Sequence, residues 1–372
     1  MTTSANSGGR TSCAYCLIDS FFGLEVLENL ESLEHLAQFI PMKYLPLLLL
    51  PLLVACGGAT KNTTPAPAET KVEQTFTVDF SADSAYQFVV DQCNFGARIP
   101  NSAAHKACGD YLVKKFADYG LQVVEQKADL TAWDGTVLKA RNIIASHNPE
   151  AAKRVLVCAH WDCRPWADND PDKSNHRTPV MGANDGASGV AVMLELARQC
   201  SAINPSIGID FICFDMEDYG MPYWEEQRAP IDGSDWCLGS RYWAQHPHVA
   251  DYKAEFGVLL DMVGGKDAHF CYEGYSLRYA RSIVARVWGT AARLGYKHYF
   301  AQKDGSWATD DHVPVNELRA IPCIDIIPYV ENNNSSFGAT WHTVNDTPEN
   351  ISRDALKAVG QTMVEVLAEV KP

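Results

Sequence analysis

Three short apolar runs in this chain end in acidic residues. Residues 155–159, Val-Leu-Val-Cys-Ala, lead into His160-Trp161-Asp162; residues 207–214 lead into Asp215-Met216-Glu217-Asp218; residues 256–260 lead into Asp261. None of the three alternates with polar residues, so each predicts an inner strand buried on both faces. Helical spacing returns between and around them. The pattern predicts helices at 84–93, 103–119, 187–200, 239–245, 277–294 and 354–369, and strands at 121–127, 138–146, 154–161, 207–214, 256–261 and 321–329. In the last helix Leu356, Val359, Met363, Val366, Leu367 and Val370 share one face, and Ser352 is a candidate cap. Strand and helix taking turns builds a mostly parallel central sheet sandwiched by helices, an α/β single domain. Such a sheet collects whatever follows its strands along one edge.

The residues collected there carry chemistry. Gly182-Ala183-Asn184-Asp185-Gly186-Ala187 puts an aspartate between glycines before a predicted helix, and Trp341-His342-Thr343 puts an imidazole in a polar loop after the last strand. Asp185, Asp218 and His342 form an N/O ligand set suited to zinc, with a position left for substrate. Each residue also has a plainer role. Asp185 is a good helix cap, Glu217 and Asp218 are an ordinary polar strand end, and a lone histidine such as His312 is more often structural. On an extended chain, neighbouring carboxylates point opposite ways, so one can ligate while the other moves protons. Long segments at 164–181, 219–238 and 330–340 follow the ligand-bearing strands and are expected to rim a pocket.

In that order, Phe95-Gly96-Ala97-Arg98-Ile99-Pro100-Asn101-Ser102, the Asp185 motif, Phe214-Asp215-Met216-Glu217-Asp218, Leu259-Leu260-Asp261, Asp310-Asp311-His312-Val313-Pro314 and Trp341-His342-Thr343 resemble the zinc aminopeptidase-type exopeptidases, specifically their glutaminyl cyclase branch. The resemblance spans about residues 80–370. It implies a zinc exopeptidase-like α/β/α fold, one Zn2+ on Asp185, Asp218 and His342, and proton transfer by Glu217 within a carboxylate cluster with Asp261 and Asp310. It implies substrate contacts from Trp341, with Trp224 and Phe337 near the family's other aromatic positions. Asp218 stands where the common family form has glutamate. The activity implied is cyclisation of N-terminal glutaminyl residues of peptides and proteins to pyroglutamyl, with loss of ammonia. Two alternatives remain. His160 fills the further ligand position of a two-zinc aminopeptidase, and related receptor ectodomains keep such a fold as metal-free binding modules.

The amino terminus reads separately. Met42-Lys43-Tyr44, an apolar block at 45–54 and Ala55-Cys56-Gly57 have the layout of a secretory signal, and Leu53-Val54-Ala55-Cys56 looks like the lipobox of bacterial lipoproteins. The expectation is an upstream extension at 1–41, a signal at 42–55, lipidation of Cys56, a tether at 56–76 and a folded domain at 77–372. This implies export and membrane anchoring through lipid at the bacterial cell envelope, on the periplasmic or outer-membrane side. Without residues 1–55 the formal charge is still −12, which disfavours nucleic acid as a partner. Nine of the twelve cysteines follow Cys56, and Cys93 with Cys108 is a candidate local disulfide in an oxidising compartment.

Overall fold

The computed structural model describes residues 78–228, 230, 233–330 and 335–372. The chain divides into residues 1–70 and 71–372, and every described residue belongs to the second unit. Cys56 and the boundaries expected at 1–41, 42–55 and 56–76 lie outside the described residues.

In chain order the elements are α1 Ala82–Cys93, α2 Ala103–Asp118, β1 Gln122–Thr131, β2 Val137–His147, β3 Arg154–His160, α3 Ala187–Ile203, β4 Gly208–Phe214, α4 Leu238–Gln245, β5 Gly257–Leu260, β6 Phe270–Tyr272, α5 Gly274–Arg293, β7 Phe300–Asp304, α6 His312–Arg319, β8 Cys323–Ile326 and α7 Arg353–Ala368. Six strands form one sheet in the order β1-β2-β4-β3-β5-β8. The four from β4 to β8 are parallel neighbours, while β2 pairs antiparallel with both β1 and β4. The mostly parallel α/β sandwich expected from the sequence is the one observed.

The inner strands are buried along almost their whole length, Arg154 at the start of β3 excepted, because each face has its own core. Val155, Val157 and Ala159 of β3 pack in one apolar cluster with α1, α2, α3, α5 and α7, whereas Leu156 and Cys158 face a second cluster that includes Trp243 of α4 and Val315 of α6. Ser352 caps α7 as expected, its side chain accepting from the Ala355 N–H. Asp185 does not cap α3, which starts after Gly186 without a side-chain cap. That leaves its carboxylate for other work.

Several expectations are corrected. The helix expected at 277–294 begins at Gly274, because Glu273 accepts from the N–H groups of Tyr275 and Ser276. The last strand is only Cys323–Ile326, since beyond it the chain leaves the sheet and Pro328 bridges to Phe270. The two-stranded sheet β6-β7 and helix α6 are additional, and strands of three and five residues are too short to impose a period on the sequence. The Cys93–Cys108 disulfide is not formed. Both are buried, and none of the nine cysteines among the described residues is in a disulfide. Among these residues no helix is long and apolar enough to cross a membrane.

Candidate metal centre and carboxylate cluster

The site lies where β3, β4 and β5 end. After β4 the chain does not stay extended, as the sequence reading assumed for Glu217 and Asp218. Met216 turns it with φ +58°, and the N–H groups of Glu217 and Asp218 then donate to the two carboxylate oxygens of Asp162, each at 3.2 Å. Asp162, two residues past His160, therefore fixes both acids from the neighbouring strand. Asp215 is structural, accepting from Arg141 N–H at 2.6 Å and paired with His105 at 2.8 Å. Asp185 arrives before α3, where Asp346 accepts from the N–H groups of Asn184 at 2.7 Å and Asp185 at 3.1 Å. Glycine is required nearby: a Cβ at Gly189 would lie 2.0 Å from the carbonyl oxygen of Leu260.

One ligand atom each from Asp185, Asp218 and His342 lies within 4.8 Å of the others, and all three residues are buried. His342 Nε2 is 3.3 Å from Asp218 Oδ1 and 3.6 Å from Asp185 Oδ2. A tetrahedral zinc with bonds of about 2.0–2.2 Å to nitrogen and oxygen spaces its donors roughly 3.3–3.6 Å apart. The shorter Asp218 side chain is thus close enough to serve as a ligand. Neither of its oxygens accepts a hydrogen bond. Burial, and then the neighbouring Asp185, push its carboxyl up to about 6 against the pull of His342 and Arg164. The donor set fits zinc.

His342 is held from behind. Its Nδ1 faces Asp168 Oδ1 at 3.3 Å, which orients Nε2 toward the two aspartates. Arg164 grips Asp168 at 2.6 Å and donates to the carbonyls of Asp218 and Gly220 at 3.1 and 2.8 Å. Burial opposes charge on Asp168, but His342 and Arg164 outweigh it and hold the carboxyl below its ordinary range. The His342 ring stacks on Trp341 at 3.9 Å and runs parallel to Trp236 at 6.1 Å.

His160 is engaged differently. Its Nε2 lies 2.9 Å from Asp185 Oδ1 and 3.2 Å from Asp261 Oδ1, separations at which the nitrogen donates a hydrogen bond. Glu217 sits beside it, with Oε2 4.0 Å from His160 Nδ1 and Oε1 accepting from the Cys237 thiol at 3.5 Å. Asp310 joins Glu217 and Cys237 in a group whose donor atoms lie within 4.8 Å of one another. The expected cluster is therefore present in altered form: Asp310 meets Glu217, while Asp261 is tied to His160. Burial is the main reason that the Glu217 carboxyl is raised well above its usual range, with Asp218, Asp310 and Asp311 adding to it against His160. Burial and Asp261 push Asp310 up to about 7. His312 is structural, its Nε2 3.0 Å from Glu273.

A cavity of about 430 Å³ opens onto His342 and Trp341, walled by Asp168, Lys173, His176 and Tyr223. Of the three long segments expected to rim it, 164–181 and 219–238 line it, whereas 330–340 does not and the lining comes from Trp341 and His342 just after it. Phe337 packs on Trp341 at 5.0 Å. Trp224 stands one ring further out, against Trp166 and beneath Arg177, and its neighbour Tyr223 takes the lining position. A larger cavity, about 680 Å³, lies under α2 at the β1-β2 edge, away from these residues.

Comparison with known proteins places this geometry. The model of peptidase family M28 matches residues 142–367. The chain belongs to peptidase family M28. It is 50% identical to the glutaminyl cyclase of Bacteroides thetaiotaomicron, solved with N-acetylhistamine, with a TM-score of 0.77 over 79% of this chain and 99% of that one. Porphyromonas gingivalis glutaminyl cyclase is 51% identical, with a TM-score of 0.74 over 78% and 99% of the two chains. The aminopeptidase YwaD of Bacillus subtilis is 26% identical over 283 residues, which are 73% of this chain and 53% of YwaD. This M28 chain thus spans about half the length of that curated relative.

Proposed function

We propose that this M28 member is a zinc-dependent glutaminyl cyclase, converting N-terminal glutaminyl residues of peptides and proteins to pyroglutamyl with release of ammonia. One observation carries the reading beyond the family. Asp185, Asp218 and His342 are spaced as ligands of one ion, whereas His160 Nε2 is committed at hydrogen-bond distance to Asp185 and Asp261. A single metal beside a buried acid is what an intramolecular attack needs, because no metal-activated water takes part. The roughly 50% identity to two bacterial glutaminyl cyclases supports the same reading.

Bound at Asp185, Asp218 and His342, zinc supplies Lewis-acid polarisation of the substrate's γ-carbonyl. The protein does the rest. Glu217 accepts a proton from the α-ammonium, whose ordinary pKa is about 8, and frees the amine to attack. As the bond from the α-nitrogen to Cδ forms and the bond from Cδ to the amide nitrogen breaks, Glu217 returns that proton to the departing ammonia, and the second proton left on the ring nitrogen passes through Glu217 to solvent. Asp310 beside Glu217, and Asp261 through His160, keep one proton within reach, since crowded buried carboxylates do not all ionise together. Trp341 and Phe337 hold the side chain folded back on its own amine, which removes most of the entropic cost of ring closure.

A second reading has its own observation: His160, Asp185 and Asp261 also bring ligand atoms within 4.8 Å of one another, the makings of a second zinc position and so of an aminopeptidase. A metal-free binding module is disfavoured by the buried Asp218 carboxylate, neither oxygen of which has a hydrogen-bond partner. Assay of the zinc-loaded protein on a glutaminyl and a leucyl peptide separates the readings. Ammonia from the first without free leucine from the second is the expected result, and leucine release without ammonia contradicts it. We further propose export with lipid on Cys56, supported by the apolar block at 45–54 and the small residues around Cys56; an unmodified Cys56 in the mass of the mature amino terminus would overturn that.

A further inference from the structure

Cys237 has no part in the chemistry above, yet its position is tightly set. Its backbone is left-handed, with φ +58°, and its N–H donates to the Glu217 carbonyl at 3.1 Å. The sulfur is thereby pinned 3.5 Å from Glu217 Oε1, and the thiol has no exposure to solvent. Asp310 completes the group. Its Oδ1 accepts from the Asp311 N–H, while Oδ2 has no hydrogen-bond partner although the residue is only 4% exposed. A buried, unpartnered carboxylate oxygen in a group of close donor atoms is unusual unless something positive belongs there.

We propose that Glu217, Cys237 and Asp310 form a second cation site, distinct from the Asp185, Asp218 and His342 centre, that takes soft divalent ions such as Cd2+ and excess Zn2+ and switches the protein off. The chemistry of the donors sets the selectivity. A thiolate with two carboxylates favours Zn2+ and Cd2+ over Mg2+ or Ca2+, which prefer all-oxygen shells. The spacing agrees: bonds of about 2.3 Å to sulfur and about 2.1 Å to oxygen around a tetrahedral ion put those two atoms roughly 3.6 Å apart. On binding, the cation replaces the proton shared between the Cys237 sulfur and Glu217, and that proton leaves to solvent. Glu217, 9% exposed, is the most exposed of the three. The inhibitory consequence rests on the reading of Glu217 as the base; the binding itself does not.

Cadmium titrated into the zinc-loaded protein separates the two. The parent is expected to develop the ultraviolet absorption of a cadmium thiolate, saturating in step with loss of ammonia release. Cys237→Ser, checked for unchanged circular dichroism and zinc content, is expected to lose that absorption and to need, for the same inhibition, more than the roughly 10-fold extra cadmium that losing even an outer partner costs. Cys237→Ala replaces it should the serine variant misfold. No cadmium-thiolate absorption in the parent, an equal absorption in the variant, or inhibition that Cys237→Ser leaves unchanged would each overturn the site. Absorption that follows Cys237 without any effect on turnover keeps the site and sinks only the role given to Glu217.

Discussion

Glu217→Gln is expected to bind zinc as the parent does and to lose turnover of a glutaminyl peptide by about 10²- to 10⁴-fold, the usual worth of a positioned acid-base group. Glutamine keeps the shape of the side chain and can still accept from the Cys237 thiol, but it cannot take up a proton at neutral pH. The effect therefore belongs in kcat, with little change in KM. The parent carries the same information in its pH profile. Glu217 must be ionised to act, and burial raises its carboxyl well above the ordinary value. The active form is lost as pH falls through that raised pKa, so the acid limb of kcat/KM should lie above about 4.3, the ordinary glutamate value. A variant that keeps its turnover, or an acid limb at the ordinary value, would remove Glu217 from the mechanism.

The second large effect comes from behind the metal. His342→Ala deletes one of three protein ligands and should leave a protein that folds but does not retain zinc after dialysis. Asp168→Asn touches no ligand atom of that centre directly. It weakens only the grip on His342 Nδ1, 3.3 Å away, so its cost should be the roughly 10- to 100-fold in zinc affinity typical of an outer partner. Zinc content and competition with a chelator rank the two. Equal retention by His342→Ala and the parent would place the metal elsewhere.

Much of this site is legible because β3, β4 and β5 are buried on both faces and so appear in sequence as apolar runs, interrupted within β4 only by Asp210, with polar residues at their ends. Asp185, Asp218, His342, Glu217, Asp261 and Asp310 could be picked out for that reason, together with the order in which their motifs occur. What positions them was not legible. Asp162 acts on residues 55 and 56 positions later, and Asp346 on residues more than 160 positions earlier, through backbone N–H groups that leave no mark in sequence. Arg164 and Asp168 sit in a long loop whose composition reads only as polar. Cys237 looked like one thiol among nine, and the bend at Met216 that undid the extended-chain argument for Glu217 and Asp218 occurs at an ordinary residue. The Cys93–Cys108 bridge was inferred from compartment and spacing. In the fold both side chains lie in the main apolar core as free thiols.

Anomalous scattering at the zinc edge from crystals of the zinc-loaded protein addresses the central point most directly. One peak within about 2.0–2.2 Å of Asp185, Asp218 and His342, with none between His160 and Asp261, is the predicted result. A second peak of comparable height at His160 and Asp261 would make this a two-metal centre, and a map with no peak at His342 would contradict the account outright.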